Sequence, residues 1–162
     1  ATLFTTACYL VVDAVQARMT FANAGHPSPL LVRRSSRTVE QIIPPAASGP
    51  ALGLFEEVEF VTSERQVDAG DVILFFTDGL FEVENAKGDA FGERRLHDAI
   101  RERCELRPAH LVNEVFSEIG RFAEGHVFPD DVCFIGMEIA RVGALENGSA
   151  KGTGDLSAAG VR

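Results

Sequence analysis

One short run of apolar residues constrains the fold more than any other part of the sequence. Residues 72–76 read Val-Ile-Leu-Phe-Phe, and an apolar run without alternation is typical of a strand buried on both faces. The run follows a turn sequence at residues 68–71 and is followed by Asp78-Gly79. The pattern therefore predicts a central strand that delivers a carboxylate to the surface at its end.

The rest of the chain predicts further strands, then helices, then one returning strand. Alternating or β-branched segments indicate strands at residues 3–13 and 18–23, as a hairpin, and at 29–32, 39–43 and 57–63. Apolar residues at helical spacing indicate one helix after Gly92 and another that begins at Pro108. Residues 132–139 read as the last strand. This order favours an α+β fold with the helices on one face of a sheet.

Composition favours one folded unit followed by a polar end. The 162 residues are 46% hydrophobic, which is enough for the core of one domain. From residue 141 onward Gly, Ala and Ser dominate, so we predict a domain over 1–140 and a disordered tail over 141–162. No apolar run reaches the roughly 18 residues that a membrane span needs, so we expect no membrane insertion.

The charge balance argues against one class of partner. The formal net charge is −9, and a nucleic-acid backbone requires cationic neutralisation, so we expect divalent cations rather than nucleic acid to bind. Cys8, Cys104 and Cys133 are scattered without a Cys-x-x-Cys pair, which fits neither a disulfide framework nor a thiolate zinc site. A reducing cytoplasm is the expected location.

A second acidic turn precedes the last predicted strand. Asp130 and Asp131 are adjacent carboxylates, and their repulsion must be relieved by solvent, an ion pair or a metal. If this turn meets Asp78 at one edge of the sheet, the oxygens form a site suited to Mg²⁺ or Mn²⁺. Taken alone, each segment also fits a plain turn, with Asp78 starting one and Asp130 solvated at a strand entry.

An ordered set of short motifs resembles a known protein family. The motifs are Thr-Phe-Ala-Asn-Ala-Gly-His-Pro at 20–27, Ala-Leu-Gly-Leu at 51–54, Asp-Ala-Gly-Asp at 68–71, Phe-Thr-Asp-Gly-Leu at 76–80, Phe-Gly-Glu-Arg-Arg-Leu at 91–96 and Asp-Asp at 130–131. In this order they resemble the SpoIIE-type branch of the bacterial type 2C (PPM) metal-dependent Ser/Thr protein phosphatases. The resemblance implies a β-sandwich flanked by helices, with residues 1–140 as the C-terminal portion of the phosphatase domain.

The same resemblance implies a chemistry and a set of metal ligands. Family members use two Mn²⁺ or Mg²⁺ ions to activate water for attack on phosphoserine or phosphothreonine. Asp78 matches the family's metal-binding Asp-Gly motif, Asp130 matches its late acidic motif, and Asp131 is a neighbouring candidate ligand. The family's early Asp, which precedes a Gly-rich turn, has no counterpart from Ala1 onward. We therefore expect a domain incomplete at its N-terminus, whose isolated fragment lacks activity.

The resemblance also implies partners. The expected substrate is a phosphorylated regulatory protein such as an anti-sigma-factor antagonist, and the parent protein is expected to carry an upstream sensor or receiver domain. A non-catalytic module that binds a phosphoprotein or another partner stays open as an alternative, because the early acid is missing.

Two further interpretations concern single residues. A haloacid-dehalogenase-type phosphatase needs a nucleophilic Asp two positions before Asp78, and that position is Phe76, so this class is excluded. His26 lies in a Gly-His-Pro bend, where an imidazole can donate a proton to a leaving oxygen or satisfy backbone groups. The bend favours the structural role.

Overall fold

The computed structural model describes residues 3–44, 47–125 and 128–143, together with the backbone of 156–161. In chain order the elements are β1 (Ala7–Asp13), β2 (Arg18–Ala24), β3 (Leu30–Arg33), β4 (Thr38–Gln41), β5 (Ser63–Gln66), β6 (Val72–Phe76), α1 (Gly79–Glu82), α2 (Gly92–Glu102), α3 (Pro108–Ala123), β7 (Val132–Glu138) and β8 (Leu156–Val161). The strands form a three-stranded sheet of order β1-β2-β5 and a five-stranded sheet of order β4-β3-β6-β7-β8. Neighbouring strands in both sheets are antiparallel.

The two sheets pack face to face around one buried cluster. Leu31 of β3 and Ile73 of β6 pack there with Met19 and Phe21 of β2. Since successive side chains of a strand point to opposite faces, the neighbours of Leu31 and Ile73 face the helices instead. These helix-facing residues are Leu30, Val32, Val72, Leu74 and Phe76. The strand predicted at residues 72–76 is confirmed and is covered on both faces.

Helices α2 and α3 cover the outer face of the five-stranded sheet. The buried side of α2 includes Leu96 and Ile100. Pro108 occupies the first turn of α3, where its missing N–H leaves no hydrogen bond unmade. The helix ends at Ala123, and the residue that caps it, Glu124, has a left-handed φ of 50°. The order of elements predicted this α+β arrangement, and the family resemblance implied a β-sandwich flanked by helices; both are confirmed.

The sequence prediction was wrong for one strand and omitted one helix. Residues 57–62 alternate as a half-buried strand does, yet β5 begins only at Ser63, the residue that pairs with Phe21. Val61 is 59% exposed, so the alternation there does not mark a buried face. The short helix α1 directly after Asp78 was not predicted, because one turn is too short to show a period.

The predicted tail, residues 141–162, lies mostly outside the described residues. Its described parts are residues 141–143 and β8, which pairs with β7 and places Val161 opposite Val132. A strand thus stands where disorder was expected for Leu156–Val161. Backbone pairing explains the difference, because it needs no large apolar side chain. Across the described part of the chain, no helix combines the length and the apolar character that crossing a bilayer requires.

Candidate metal centre

The pairing of β6 with β7 brings the two acidic segments together. The strands are antiparallel, with Phe76 opposite Phe134, so the end of β6 and the start of β7 share one edge of the sheet. Asp78 lies two residues beyond β6, and Asp131 directly precedes β7. The structure therefore contains the meeting of acidic turns that the sequence suggested.

Hydrogen bonds from Thr77 connect these turns. The Thr77 hydroxyl donates to the carbonyl oxygen of Asp131 at 2.9 Å and accepts from the backbone N–H of Cys133, also at 2.9 Å. The Thr77 N–H donates to the Cys133 carbonyl oxygen at 3.1 Å. Thr77, which directly precedes Asp78, is thus bonded across the edge to Asp131 and to Cys133.

Gly79 allows the two turns to approach closely. A Cβ atom at this position would lie 3.0 Å from the Asp131 carbonyl oxygen and 3.2 Å from that of Asp130. A glycine directly after Asp78 is also compatible with an ion or a ligand in the space that a side chain would fill. In the structure the backbone of the second acidic turn occupies it instead.

The side chains of Asp78, Asp130 and Asp131 are exposed, and hydrogen bonds orient the first two. One oxygen of Asp78 accepts from the Gly79 N–H at 3.0 Å, so this residue caps α1. One oxygen of Asp130 accepts from the Asp131 N–H at 2.7 Å. All three side chains reach solvent. Each acid is therefore accessible to a cation from outside the sheet edge.

The carboxylate oxygens at this edge are the kind of ligand that suits a hard divalent cation. They are too few, however, to complete its coordination shell. Carboxylate oxygens are the ligands that Mg²⁺ and Mn²⁺ prefer. Within residues 3–44, 47–125 and 128–143, however, no group of three or more His, Cys, Asp or Glu side chains is arranged to hold a metal. The edge thus supplies part of a metal site, and the remaining ligands would come from water or from outside these ranges.

His26 has the structural surroundings that the sequence favoured. Its Nδ1 lies 2.8 Å from the Pro27 carbonyl oxygen, which assigns the proton to that nitrogen. The buried Asn23 donates from its amide to the His26 carbonyl oxygen at 2.8 Å and to the Ser48 hydroxyl at 3.0 Å. Sequence reasoning overlooked Asn23, although an Asn before a Gly-His-Pro bend is a recognisable turn signal.

Thr77 is the other residue that sequence reasoning overlooked. It enters the sequence prediction only as one residue of the motif at 76–80 and is assigned no role there. The sequence does place a hydroxyl side chain between a buried strand and an Asp-Gly turn. At such a position the Thr hydroxyl can form a hydrogen bond in place of a backbone group.

Comparisons with known proteins agree with the motif resemblance. Residues 1–140 match the protein family described as stage II sporulation protein E (SpoIIE). Phosphoserine phosphatase RsbP of Bacillus subtilis is 29% identical over 136 residues, which cover 84% of this chain and 31% of RsbP. The chain thus spans less than a third of that relative's length.

Solved structures show the same fold at lower sequence identity. The SiaA-PP2C domain of Pseudomonas aeruginosa superimposes with a TM-score of 0.68 at 19% identity, over 81% of this chain and 50% of that domain. The catalytic domain of PstP, a serine/threonine phosphatase of Mycobacterium tuberculosis solved with two manganese ions, gives a TM-score of 0.50 at 21% identity. That match covers 80% of this chain and 56% of the PstP chain.

Proposed function

The chain belongs to the SpoIIE family, and from this premise we propose that it forms part of a metal-dependent phosphoserine and phosphothreonine protein phosphatase domain. One observation carries the proposal: Thr77 holds the turns of Asp78 and Asp131 together at one sheet edge. The named activity of RsbP and the manganese ions of PstP support it.

Asp78 and Asp130 are the proposed metal ligands, with Asp131 as their neighbour. Each of the first two has one oxygen held by the next residue's N–H, which leaves the second oxygen available to a cation. Two Mn²⁺ or Mg²⁺ ions, when bound in the complete domain, supply an activated water and neutralise phosphoryl charge. No protein nucleophile is then required.

We propose further that the substrate is a phosphorylated regulatory protein, such as an anti-sigma-factor antagonist, in the cytoplasm. The support for this finer statement is family membership. An upstream sensor or receiver domain in the parent protein belongs to the same proposal. So does the assignment of residues 1–140 to the C-terminal portion of a phosphatase domain.

A non-catalytic module that binds a partner is the second candidate. It is favoured by the incomplete set of metal-capable side chains in the described ranges. In that case the acidic edge is a docking surface, and the metal ligands that catalysis requires are absent from the full-length protein as well.

Calorimetric titration with Mn²⁺ separates the two candidates. We expect Asp78→Asn and Asp130→Asn each to weaken Mn²⁺ binding by more than about tenfold, since even residues that only support a metal ligand contribute that much. Asn keeps the size of the side chain and still caps α1 at position 78. The matched control is Asp98→Asn on the surface of α2, which we expect to bind Mn²⁺ as the unaltered chain does.

Turnover of a phosphoserine peptide by the full-length protein completes the test. Loss of both Mn²⁺ binding and turnover in the Asp78 and Asp130 variants supports the phosphatase. Mn²⁺ binding that is unchanged in both variants contradicts the proposed ligands. Specific phosphopeptide binding without turnover at saturating Mn²⁺ favours the non-catalytic module.

A further inference from the structure

Thr77 lies where the ladder between β6 and β7 stops and α1 begins. In a continued antiparallel ladder, Thr77 and Cys133 would exchange two backbone hydrogen bonds. The first is present, from the Thr77 N–H to the Cys133 carbonyl oxygen. The second is absent: the Thr77 carbonyl oxygen accepts from the Leu80 N–H at 3.1 Å in the first turn of α1, and the Cys133 N–H bonds the Thr77 hydroxyl instead.

The Thr77 side chain replaces the missing backbone partner. Its hydroxyl oxygen accepts from the Cys133 N–H, which the carbonyl oxygen would have bonded in a longer ladder. The hydroxyl proton then goes to the Asp131 carbonyl oxygen, two residues earlier on the facing chain. One hydroxyl can do both, because it has one donor and two acceptor positions. The chain thus turns at Asp78 without separating from β7.

We propose that Thr77 is a positioning residue for the metal ligands, an inference that rests on the proposed function above. Thr77 precedes Asp78 directly, and its hydroxyl bonds the backbone of Asp131, which adjoins Asp130. The hydroxyl therefore sets the separation between the two acidic turns, and Gly79 permits that separation to be small. Thr77 acts through these carboxylates and touches neither substrate nor metal.

The test uses the chain with Thr77→Val, which keeps the shape of the side chain and removes its hydroxyl. We expect Mn²⁺ binding, measured by calorimetry, to weaken by about 10- to 100-fold, the usual effect of losing a group that orients metal ligands. Thr77→Ser retains the donor and the acceptor, so its affinity should stay within about threefold of the unaltered chain. Thr20→Val on β2 is the matched control, with the same substitution in the other sheet.

A second measurement needs no metal. We expect amide hydrogen exchange at Cys133, followed by NMR in metal-free buffer, to accelerate by at least about fivefold in Thr77→Val, which corresponds to one typical hydrogen bond. Thr77→Ser should restore the slow exchange. This measurement tests the hydroxyl's contact with β7 whether or not the edge binds a cation.

The outcomes distinguish this inference from the proposed function. If the unaltered chain binds Mn²⁺ through Asp78 and Thr77→Val binds it equally well, the positioning role is wrong. If exchange at Cys133 is the same in Thr77→Val and in the unaltered chain, the hydroxyl does not hold the turn. If Mn²⁺ binding never depends on Asp78, the proposed function fails, and the role of Thr77 toward a metal fails with it.

Discussion

The two sheets of the sandwich differ in how completely they are covered. The five-stranded sheet is covered on one face by the three-stranded sheet and on the other by α2 and α3. The three-stranded sheet buries only its inner face, and on β1 the outward-facing Tyr9 and Val11 are 71% and 45% exposed. The apolar side chains of the two sheets thus differ in how far they are buried, and the buried apolar area sets how much each stabilises the fold.

The candidate metal centre lies on the better covered sheet. Asp78 follows β6 and Asp131 precedes β7, and both strands contribute side chains to the clusters on the two faces of the sheet. Short turns joined directly to rigid strands hold their side chains more accurately than long, mobile loops do. The candidate metal centre therefore lies next to the part of the molecule that we expect to unfold last.

The largest expected difference in stability between the sheets comes from truncating a buried aromatic side chain in one and an exposed aromatic side chain in the other. Phe134 of β7 is fully buried, so we expect Phe134→Ala to lower the free energy of unfolding by about 3–5 kcal/mol. Tyr9→Ala, at the exposed face of β1, should change it by less than about 0.5 kcal/mol. Urea denaturation measures both. Equal losses would show that the outer face of the three-stranded sheet is covered in solution.

An intermediate effect is expected from adding one methyl group to a glycine near each sheet. A Cβ on Gly136 of β7 would lie 3.1 Å from the Pro108 ring and 3.3 Å from a Val112 methyl, so Gly136→Ala should cost about 1–3 kcal/mol. A Cβ on Gly49, which bridges to the end of β2, would lie 2.7 Å from the Phe60 ring.

The Gly49 substitution should cost less, despite the shorter distance. Phe60 is only half-buried and can move aside, whereas Pro108 is fixed in α3. Thermal unfolding of the two variants gives the comparison, and a larger loss for Gly49→Ala would contradict the assignment of the tighter packing to the five-stranded sheet.

The smallest expected effect concerns a charged contact between the sheets. Arg33 at the end of β3 donates to the Asp71 carboxylate at 3.1 Å and to the Gln66 carbonyl oxygen of β5 at 3.0 Å. Burial raises the pKa of Asp71 above its ordinary value of 3.8. The folded state therefore holds this proton more tightly than the unfolded state does.

The sign of the pH dependence follows from this difference in proton binding. Between pH 3.8 and the raised pKa of the folded state, the contribution of Asp71 to the free energy of unfolding should fall as the pH rises. Asp71→Asn should remove that part of the slope. Urea denaturation of both proteins across the acidic range measures it, and identical slopes would show that the pKa of Asp71 is the same in both states.

Local pattern was sufficient for much of the fold. The unbroken apolar run at residues 72–76, the stripe of α3 and Pro108 at its start each carry a signal within a few residues. The strand predicted at 57–63 is absent except for Ser63, because a local pattern does not show whether a strand has a partner. Alternation there is genuine, but a strand also needs a partner, and the ladder with β2 begins only at Ser63.

The amino-acid sequence by itself determined which elements form in most of the chain and which acids are candidate ligands, because periodicity and short motifs are local properties. Only the tertiary structure decided that the turns of Asp78 and Asp131 meet at one sheet edge, that Thr77 joins them and that the backbone of the second turn fills the space beside Gly79. These features depend on the register of β6 against β7, which brings together residues more than fifty positions apart. Register is a property of the paired strands, and neither strand specifies it alone.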